Sequence, residues 1–414
     1  MTIDELVRQT LREWSAEANV PPGDLAGAAL RRRRRNRSRT FAVVAGATAA
    51  VIAAAVTAPA LVQGALVQGR EQLGNDAPAI AVVADPDPSR ETAADPDSSP
   101  PKTLVAAGEV AAYSYYTWKE EKISADRQVR KLTWNRYDRD RGVYERTPWA
   151  WLDVARGGEA AAFLEEIPAT RVGVLTGRGA EVRWIALERP ASAVRWSPDA
   201  TRLLLTNYSA NPDESYIPVD NSQQGMPQSR IGFTVVDLND GRSVFRTVAV
   251  DPDAGFDHRN DFGWSDDGTL VWESHAVMPV TRKYYDLEGR ARPAPSKEAE
   301  TYQQAGLSPG GTRLAVESPD RSAVVGIQDL STGRTVPLTP VSGYWIEQSV
   351  AWADDERLVV WACEQKGTDD CVGGEFRNRL LLVGLNGGEA VPLSGFRENS
   401  QQEDESWVPV FTAR

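Results

Sequence analysis

The C-terminal three quarters of the chain, residues 105–414, is predicted to be all-β and built from repeated four-stranded sheets. Three observations carry this expectation. Thirteen Trp are present, twelve of them after residue 100, in sequence punctuated by Gly and Pro with little helical periodicity. Short strand–turn–strand patterns recur there. Their spacing is that of one supersecondary unit repeated around a ring.

The first pattern is a strand, a tight turn and a second strand. Val194-Arg195-Trp196-Ser197-Pro198-Asp199 leads into Arg202 to Leu205, and Phe262-Gly263-Trp264-Ser265-Asp266-Asp267-Gly268 leads into Leu270 to Trp272. Ala305 to Gly311 leads into Arg313 to Val316, and Val350 to Asp355 leads into Arg357 to Val360. The anchors Ser197, Ser265, Ser308 and Ala353 are spaced 68, 43 and 45 residues apart. A second pattern follows each anchor: Val236-Asp237-Leu238-Asn239-Asp240-Gly241, Tyr285 to Gly289, Gln328 to Gly333, and a looser Val383 to Gly388. Asn, Asp and Gly at its end supply hairpin turns.

Comparing offsets places an insert of about 19 residues near 209–230 and another of about 10 near 363–378. Without the first insert the unit is 43–49 residues and four strands, the period of a β-propeller blade. Weaker copies begin at Tyr137 to Gly142 and at Trp151-Leu152, so about six four-stranded blades are expected over 105–395. Trp407 to Phe411 alternates and is expected to add a strand to the first blade, removing an exposed sheet edge.

At these residues the chain resembles the WD-repeat and TolB-like propellers, particularly in the Trp-Ser-Pro-Asp-Gly turn. No copy has the Gly-His start or the Trp-Asp end of a true WD repeat, which favours the TolB-like comparison.

The N-terminal quarter reads differently. Residues 2–18 predict a short helix with Ile3, Leu6, Val7, Leu11 and Trp14 on one stripe. Arg31, Arg32, Arg33, Arg34, Arg35, Arg37 and Arg39 follow, and then Thr40 to Gly69 carries no charge. Some 20 apolar residues at about 1.5 Å rise cross a hydrocarbon core of about 30 Å, so residues 40–62 predict a transmembrane helix in the lipid bilayer. Seven arginines on one flank orient it with residues 1–39 in the cytoplasm and the C-terminal domain outside. Ala58-Pro59-Ala60 also fits a cleaved signal peptide, although the basic leader is long for one. Residues 63–104, rich in Asp, Pro and Ser, predict a disordered linker. This layout also looks like that of actinobacterial membrane proteins that partner alternative sigma factors. The His-x₃-Cys-x₂-Cys zinc signature of anti-sigma domains is absent before residue 40.

Charge and motifs exclude several functions. Residues 1–39 carry +4 and the rest −16, within a net charge of −12, so nucleic acid is not an expected partner. Two Cys and two His lack the spacing of a structural zinc site. The acidic run Asp251, Asp253, Asp257, Asp261 matches no EF-hand order and reads as a solvated loop. Neither His258 nor His275 has a motif-bearing partner, and no nucleophile elbow, phosphate loop or His-Glu-x-x-His is present. No catalytic, metal-binding or cofactor-binding residues are therefore assigned. The repeated Trp196, Trp264 and Trp352 read as packing between blades.

Recognition is expected on the inserts, where Tyr208, Tyr216, Gln223, Gln224 and Met226 are adaptable contact types. Cys363 and Cys371 bracket the second insert and are the chain's only candidates for a disulfide. Two functions fit. In one, the propeller binds or senses a protein or small ligand outside the cell while residues 1–39 engage a cytoplasmic protein such as a sigma factor. In the other, the propeller is a tethered envelope scaffold. A propeller hydrolase is the third and weakest reading.

Overall fold

The computed structural model describes residues 91–414 apart from 178–180, 218–227, 251–258, 276–280, 297, 299–303, 319–323, 366–370, 372–376, 389 and 398–405. The expected N-terminal helix, the arginine cluster, the span 40–62 and the linker up to residue 90 lie outside these residues. Among the described residues every helix-or-strand element is a strand, and none is a helix long and apolar enough to cross a membrane.

Strands β1 (Ala106–Ala107), β2 (Val110–Lys122), β3 (Arg127–Asp138) and β4 (Val143–Arg146) begin the first sheet. A second sheet follows, with β5 (Trp151–Val154), β6 (Ala161–Leu164), β7 (Ala169–Thr176), β8 (Glu181–Trp196) and β9 (Arg202–Tyr208). Then β10 (Glu214–Tyr216) leaves it to pair with β3, and β11 (Arg230–Asp237) and β12 (Ser243–Thr247) complete it. The third sheet is β13 (Gly263–Trp264), β14 (Val271–His275), β15 (Thr281–Tyr285) and β16 (Ala291–Arg292). The fourth is β17 (Arg313–Glu317), β18 (Val325–Asp329) and β19 (Thr335–Pro337), with a bridge from Leu307 to Leu314. The fifth is β20 (Tyr344–Asp354), β21 (Arg357–Glu364), β22 (Asn378–Gly384) and β23 (Val391–Pro392). Strand β24 (Trp407–Ala413) returns to pair with β2.

This is an all-β propeller. Both sequence patterns fall where expected: the second strand after each anchor is β9, β14, β17 or β21, and the later hairpins close β11, β15, β18 and β22. The tail strand also pairs as expected.

The expectation of about six four-stranded blades is corrected. The described strands form five sheets, of six, seven, four, three and four strands. The seven-stranded sheet arises because β8 runs through two repeats. Its first half pairs β7 and its second half pairs β9, with register shifts on either side of Ala191. Pro190 has no N–H to donate at this bend. The side chain of Asn207 donates to the carbonyls of Arg189 and Pro190, at 2.9 and 3.1 Å.

Residues 91–104, expected within the disordered linker, are instead laid on the sheets. Ala93 bridges Ala106 and Asp95 bridges Ser394. Lys102 N–H donates to the Asp95 carboxylate at 2.7 Å, and Trp407 Nε1 donates to Ser99 Oγ at 2.9 Å. Composition predicts low burial for such a segment, but a neighbouring sheet supplies partners for its backbone.

The repeated tryptophans show why the sheets stay in register. Trp196 Nε1 donates to Asp153 O at 3.2 Å, Trp264 Nε1 to Arg195 O at 3.4 Å, and Trp352 Nε1 to Gly306 O at 2.9 Å. Each acceptor lies on the first strand, or its equivalent bridge, of the preceding repeat. The indoles are 3–9% exposed, so each combines apolar packing with a directional bond between repeats. Trp352→Phe keeps most of that packing and removes one of two donors to the Gly306 carbonyl, which retains the bond from Ala315 N–H at 2.9 Å. It is expected to destabilise the fold by about 0.5–1.5 kcal/mol, read from the urea midpoint.

Candidate recognition face

The two ends of the strands differ in chemistry. At the tight-turn end, Ser197 Oγ and Ser265 Oγ accept from Arg202 N–H and Leu270 N–H and donate to Asp199 and Asp267, so each turn is closed by its own side chains. Arg202 reaches Gly268 O at 3.0 Å in the next repeat. The opposite end carries the longer connections, between second and third strands and between repeats. The candidate site is there.

The first insert is not the free surface loop expected. After β9 the chain crosses to the first sheet, where Glu214, Ser215 and Tyr216 pair with Val129, Gln128 and Arg127. Arg130 N–H donates to Asp213 O at 2.9 Å, Ile217 N–H to Asp126 O at 2.8 Å, and Arg127 and Glu214 form an ion pair. Its host is the hairpin of β2 and β3, whose strands of 13 and 12 residues exceed most others in the fold.

What holds the insert is a buried charge cluster. Arg259 donates side-on to Asp213, Nε to Oδ1 at 2.8 Å and Nη2 to Oδ2 at 2.6 Å. Its Nη1 reaches Asp261 at 3.1 Å and Ser192 O at 3.0 Å, and the guanidinium lies 4.6 Å from the centre of the Trp151 ring. Burial alone would lower the pKa of Arg259, but Asp213 and Asp261 outweigh it and hold the group above its ordinary value. Asp261 shifts upward through burial, against the opposing pull of Arg259. Beside it Arg230 pairs with Glu273, which also accepts from Tyr285. Two guanidinium groups thus meet three carboxylates in the interior, every one of them 7% exposed or less.

Tyr208, expected as a recognition contact, is buried. Its hydroxyl donates to Asp261 at 2.8 Å and accepts from Asn260 N–H at 3.0 Å, so it is absorbed by the cluster. Tyr216 is half-buried in β10. Gln223, Gln224 and Met226 lie outside the described residues, as do Arg31 to Arg39, His258, Asp251, Asp253 and Asp257. Asp261, expected in a solvated loop, is a buried counter-ion. Cys363 and Cys371 are joined, with Cα atoms 5.9 Å apart, and Cys363 N–H and C=O lie in the β20–β21–β22 ladder. Arg259, Asp213, Arg230 and Glu273 were not singled out from the sequence. Charged residues spread over 60 positions give no local pattern, and burial is the only signal that unites them.

A second ionisable group faces the inner strands. Asp153, on β5, accepts Trp196 N–H at 2.7 Å, and burial pushes its carboxyl up to about 6 in spite of that bond.

No family model matches the chain, and no curated protein matches it. Solved structures are similar at low identity. A putative TolB from Agrobacterium tumefaciens is 12% identical with a TM-score of 0.37, over 65% of this chain and 92% of that one. The β-propeller domain of Cps50 (Swd1) from Myceliophteria thermophila is 11% identical with a TM-score of 0.34, over 73% and 89%. The acylaminoacyl peptidase of Pyrococcus horikoshii is 13% identical with a TM-score of 0.38, over 65% of this chain and 45% of that one.

Two variants probe these groups. Arg259→Met leaves Asp213 and Asp261 as uncompensated buried charges and is expected to lower unfolding free energy by about 3–5 kcal/mol. Adding Asp213→Asn should recover part of that loss, which a double-mutant cycle in urea measures. For Asp153 the folded state holds its proton to higher pH than the unfolded state. Its contribution is therefore fully present below the ordinary carboxylate value of 3.8 and is lost as pH rises to about 6. Asp153→Asn should flatten that segment of the stability–pH curve.

Proposed function

We propose that this chain is a single-pass membrane protein whose propeller stands outside the cytoplasm and binds or senses a protein or small ligand, with residues 1–39 engaging a cytoplasmic protein such as a sigma factor. The binding part rests on one observation, the pinning of the first insert. A connection that could have been loose is tied to the β2–β3 hairpin by strand pairing and by a buried bidentate ion pair. Ordering a loop before a partner arrives removes an entropy penalty from binding. The ionisable groups beneath it are paired with one another and shielded from solvent, which suits a rigid platform better than proton transfer to a substrate.

The membrane part rests on the uncharged run from Thr40 to Gly69 behind seven arginines. The Cys363–Cys371 bond supports it, because such bonds persist in oxidising compartments, and a loop this short is stabilised by about 2–3 kcal/mol. A scaffold without signalling differs in one respect: its residues 1–39 would contact no cytoplasmic protein.

Protease added to intact cells is expected to remove the propeller and spare residues 1–39, and a pull-down with residues 1–39 is expected to enrich one cytoplasmic protein. A protected propeller would refute the topology. An empty pull-down with the topology intact would leave the scaffold.

A further inference from the structure

Residues 91–104 cross the seam between the first sheet and the fifth, and polar bonds hold them there. Arg414 Nη1 donates to Glu91 O at 3.1 Å, so the chain arrives beside the end of β24. Ala93 and Ala106 exchange two backbone bonds at 2.9 Å, and Tyr144 N–H donates to Lys102 O at 3.3 Å, which ties the segment to the first sheet. Asp95 N–H donates to Leu393 O at 3.0 Å, Gly395 N–H to Ser98 O at 2.8 Å, and Arg379 Nη2 to Pro96 O at 2.8 Å, which ties it to the fifth sheet and the residues after β23. Trp407 Nε1 donates to Ser99 Oγ at 2.9 Å and brings in β24. The Asp95 carboxylate accepts from Lys102 N–H at 2.7 Å and from Thr103 N–H at 3.4 Å, so it fixes the bend of the segment itself. Contact is close at one point, where a Cβ on Gly395 would fall 2.8 Å from the Ser98 carbonyl carbon.

The hold is directional and thin. From Glu91 to Leu104 only Pro101 is buried. Beneath the segment, the core shared by the same two sheets buries Val105, Ala107, Tyr115, Val359, Trp361 and Leu382. An element held by surface polar bonds, with little apolar burial of its own, stands at the low end of local opening free energy. Pro96, Pro100 and Pro101 offer no N–H, so the segment cannot zip into a full strand and is fixed at separate points. The same prolines restrict the chain when it is off the sheets, which reduces the entropy lost on docking again.

We propose that residues 91–104 are a releasable strap on the ring closure: docked, they clamp the first and fifth sheets over Trp407 and stabilise the β2–β24 seam, and released, they loosen it. The strap touches both sheets that the seam joins, so its docking and the closure of the seam favour each other, and linkage makes that effect reciprocal. A ligand that tightens the seam holds the strap down, and a pull on the chain before Glu91 weakens the seam. Release also lengthens the free chain ahead of the propeller by 14 residues, about 45 Å when extended. The regulatory use of the strap rests on the tethered, sensing arrangement proposed above, which it deepens by naming the element that carries a change in the propeller towards the N-terminus. The clamp itself does not rest on that arrangement.

Hydrogen exchange of the full chain, read by mass spectrometry of its fragments, tests the strap. In the wild-type chain the bonded amides of Ala93, Asp95 and Lys102 are expected to exchange faster than those of β22. Asp95→Ala removes the acceptor of Lys102 and Thr103 N–H. It is expected to speed exchange in β24 by about tenfold while β14, in the third sheet, is unchanged. Asp95→Asn keeps an acceptor oxygen and should restore most of the protection of β24. Strap amides as slow as β22, β24 unchanged in Asp95→Ala, or β14 accelerated as much as β24 would each overturn the proposal. Should Asp95→Ala not fold, the wild-type chain in rising urea decides: the strap and β24 are expected to open as one unit before β14 and β22 do. Separate openings, or a strap that opens only with the whole fold, count against it. None of these outcomes depends on membrane topology or on a partner of residues 1–39, so failure here is distinguishable from failure of the wider functional reading.

Discussion

The antiparallel seam between β2 and β24 is the contact on which the other sheets depend. A ring of sheets has two chain ends, and an unclosed ring leaves backbone donors and acceptors on its first sheet without partners. Strand β24 supplies them from Val110 to Thr117, and the contacts spread outward. Trp407 meets Tyr115 and Trp361 edge to face, so the closing strand packs on both the first sheet and the fifth. On the other side of the seam, Glu109 N–H donates to Ala353 O at 2.7 Å. Gly108 has a positive φ of 53° there, and a side chain at this position would overlap that carbonyl. Residues 91–104 then lie across the closure and add bonds to Leu393, Ser394 and Trp407.

Between neighbouring repeats the cohesion is a modular one. Indole donors at Trp196, Trp264 and Trp352 each reach back to the previous repeat. The repeat between the last two has Leu307 at that position and three strands in its sheet among the described residues. The fold tolerates this because each sheet contacts mainly its neighbours, so one weaker interface is carried by the others. The open end is organised differently. There the chain relies on buried charge, which gives orientation and discriminates against alternative placements more than it adds net stability.

Much of this was legible in the primary structure, and the reason is locality. Trp196-Ser197-Pro198-Asp199 encodes a strand end and a turn within four residues, and its copies at Trp264 and Trp352 announce the same strand pair at a regular period. The pairing of Cys363 with Cys371 needed only that they were the sole cysteines and close in the chain. Other features depended on distant partners. Asp213 and Arg259 are 46 residues apart, and nothing near either residue marks the other. Tyr208 was misplaced as a surface contact because tyrosine suits both roles, and only its neighbours Asp261 and Asn260 decide which.

The sequence by itself determined the all-β class, the repeat and its turns, and the return of the C-terminal strand, because these depend on side-chain alternation, turn residues and edge pairing within short windows. Only the tertiary structure decided how repeats merge into sheets and where charge is buried. Strand β8 serves two repeats across the register shifts beside Ala191, and Arg259 ties an insert that pairs with another sheet. Both outcomes follow from satisfying polar groups against partners far away in the chain, a condition that no local pattern records.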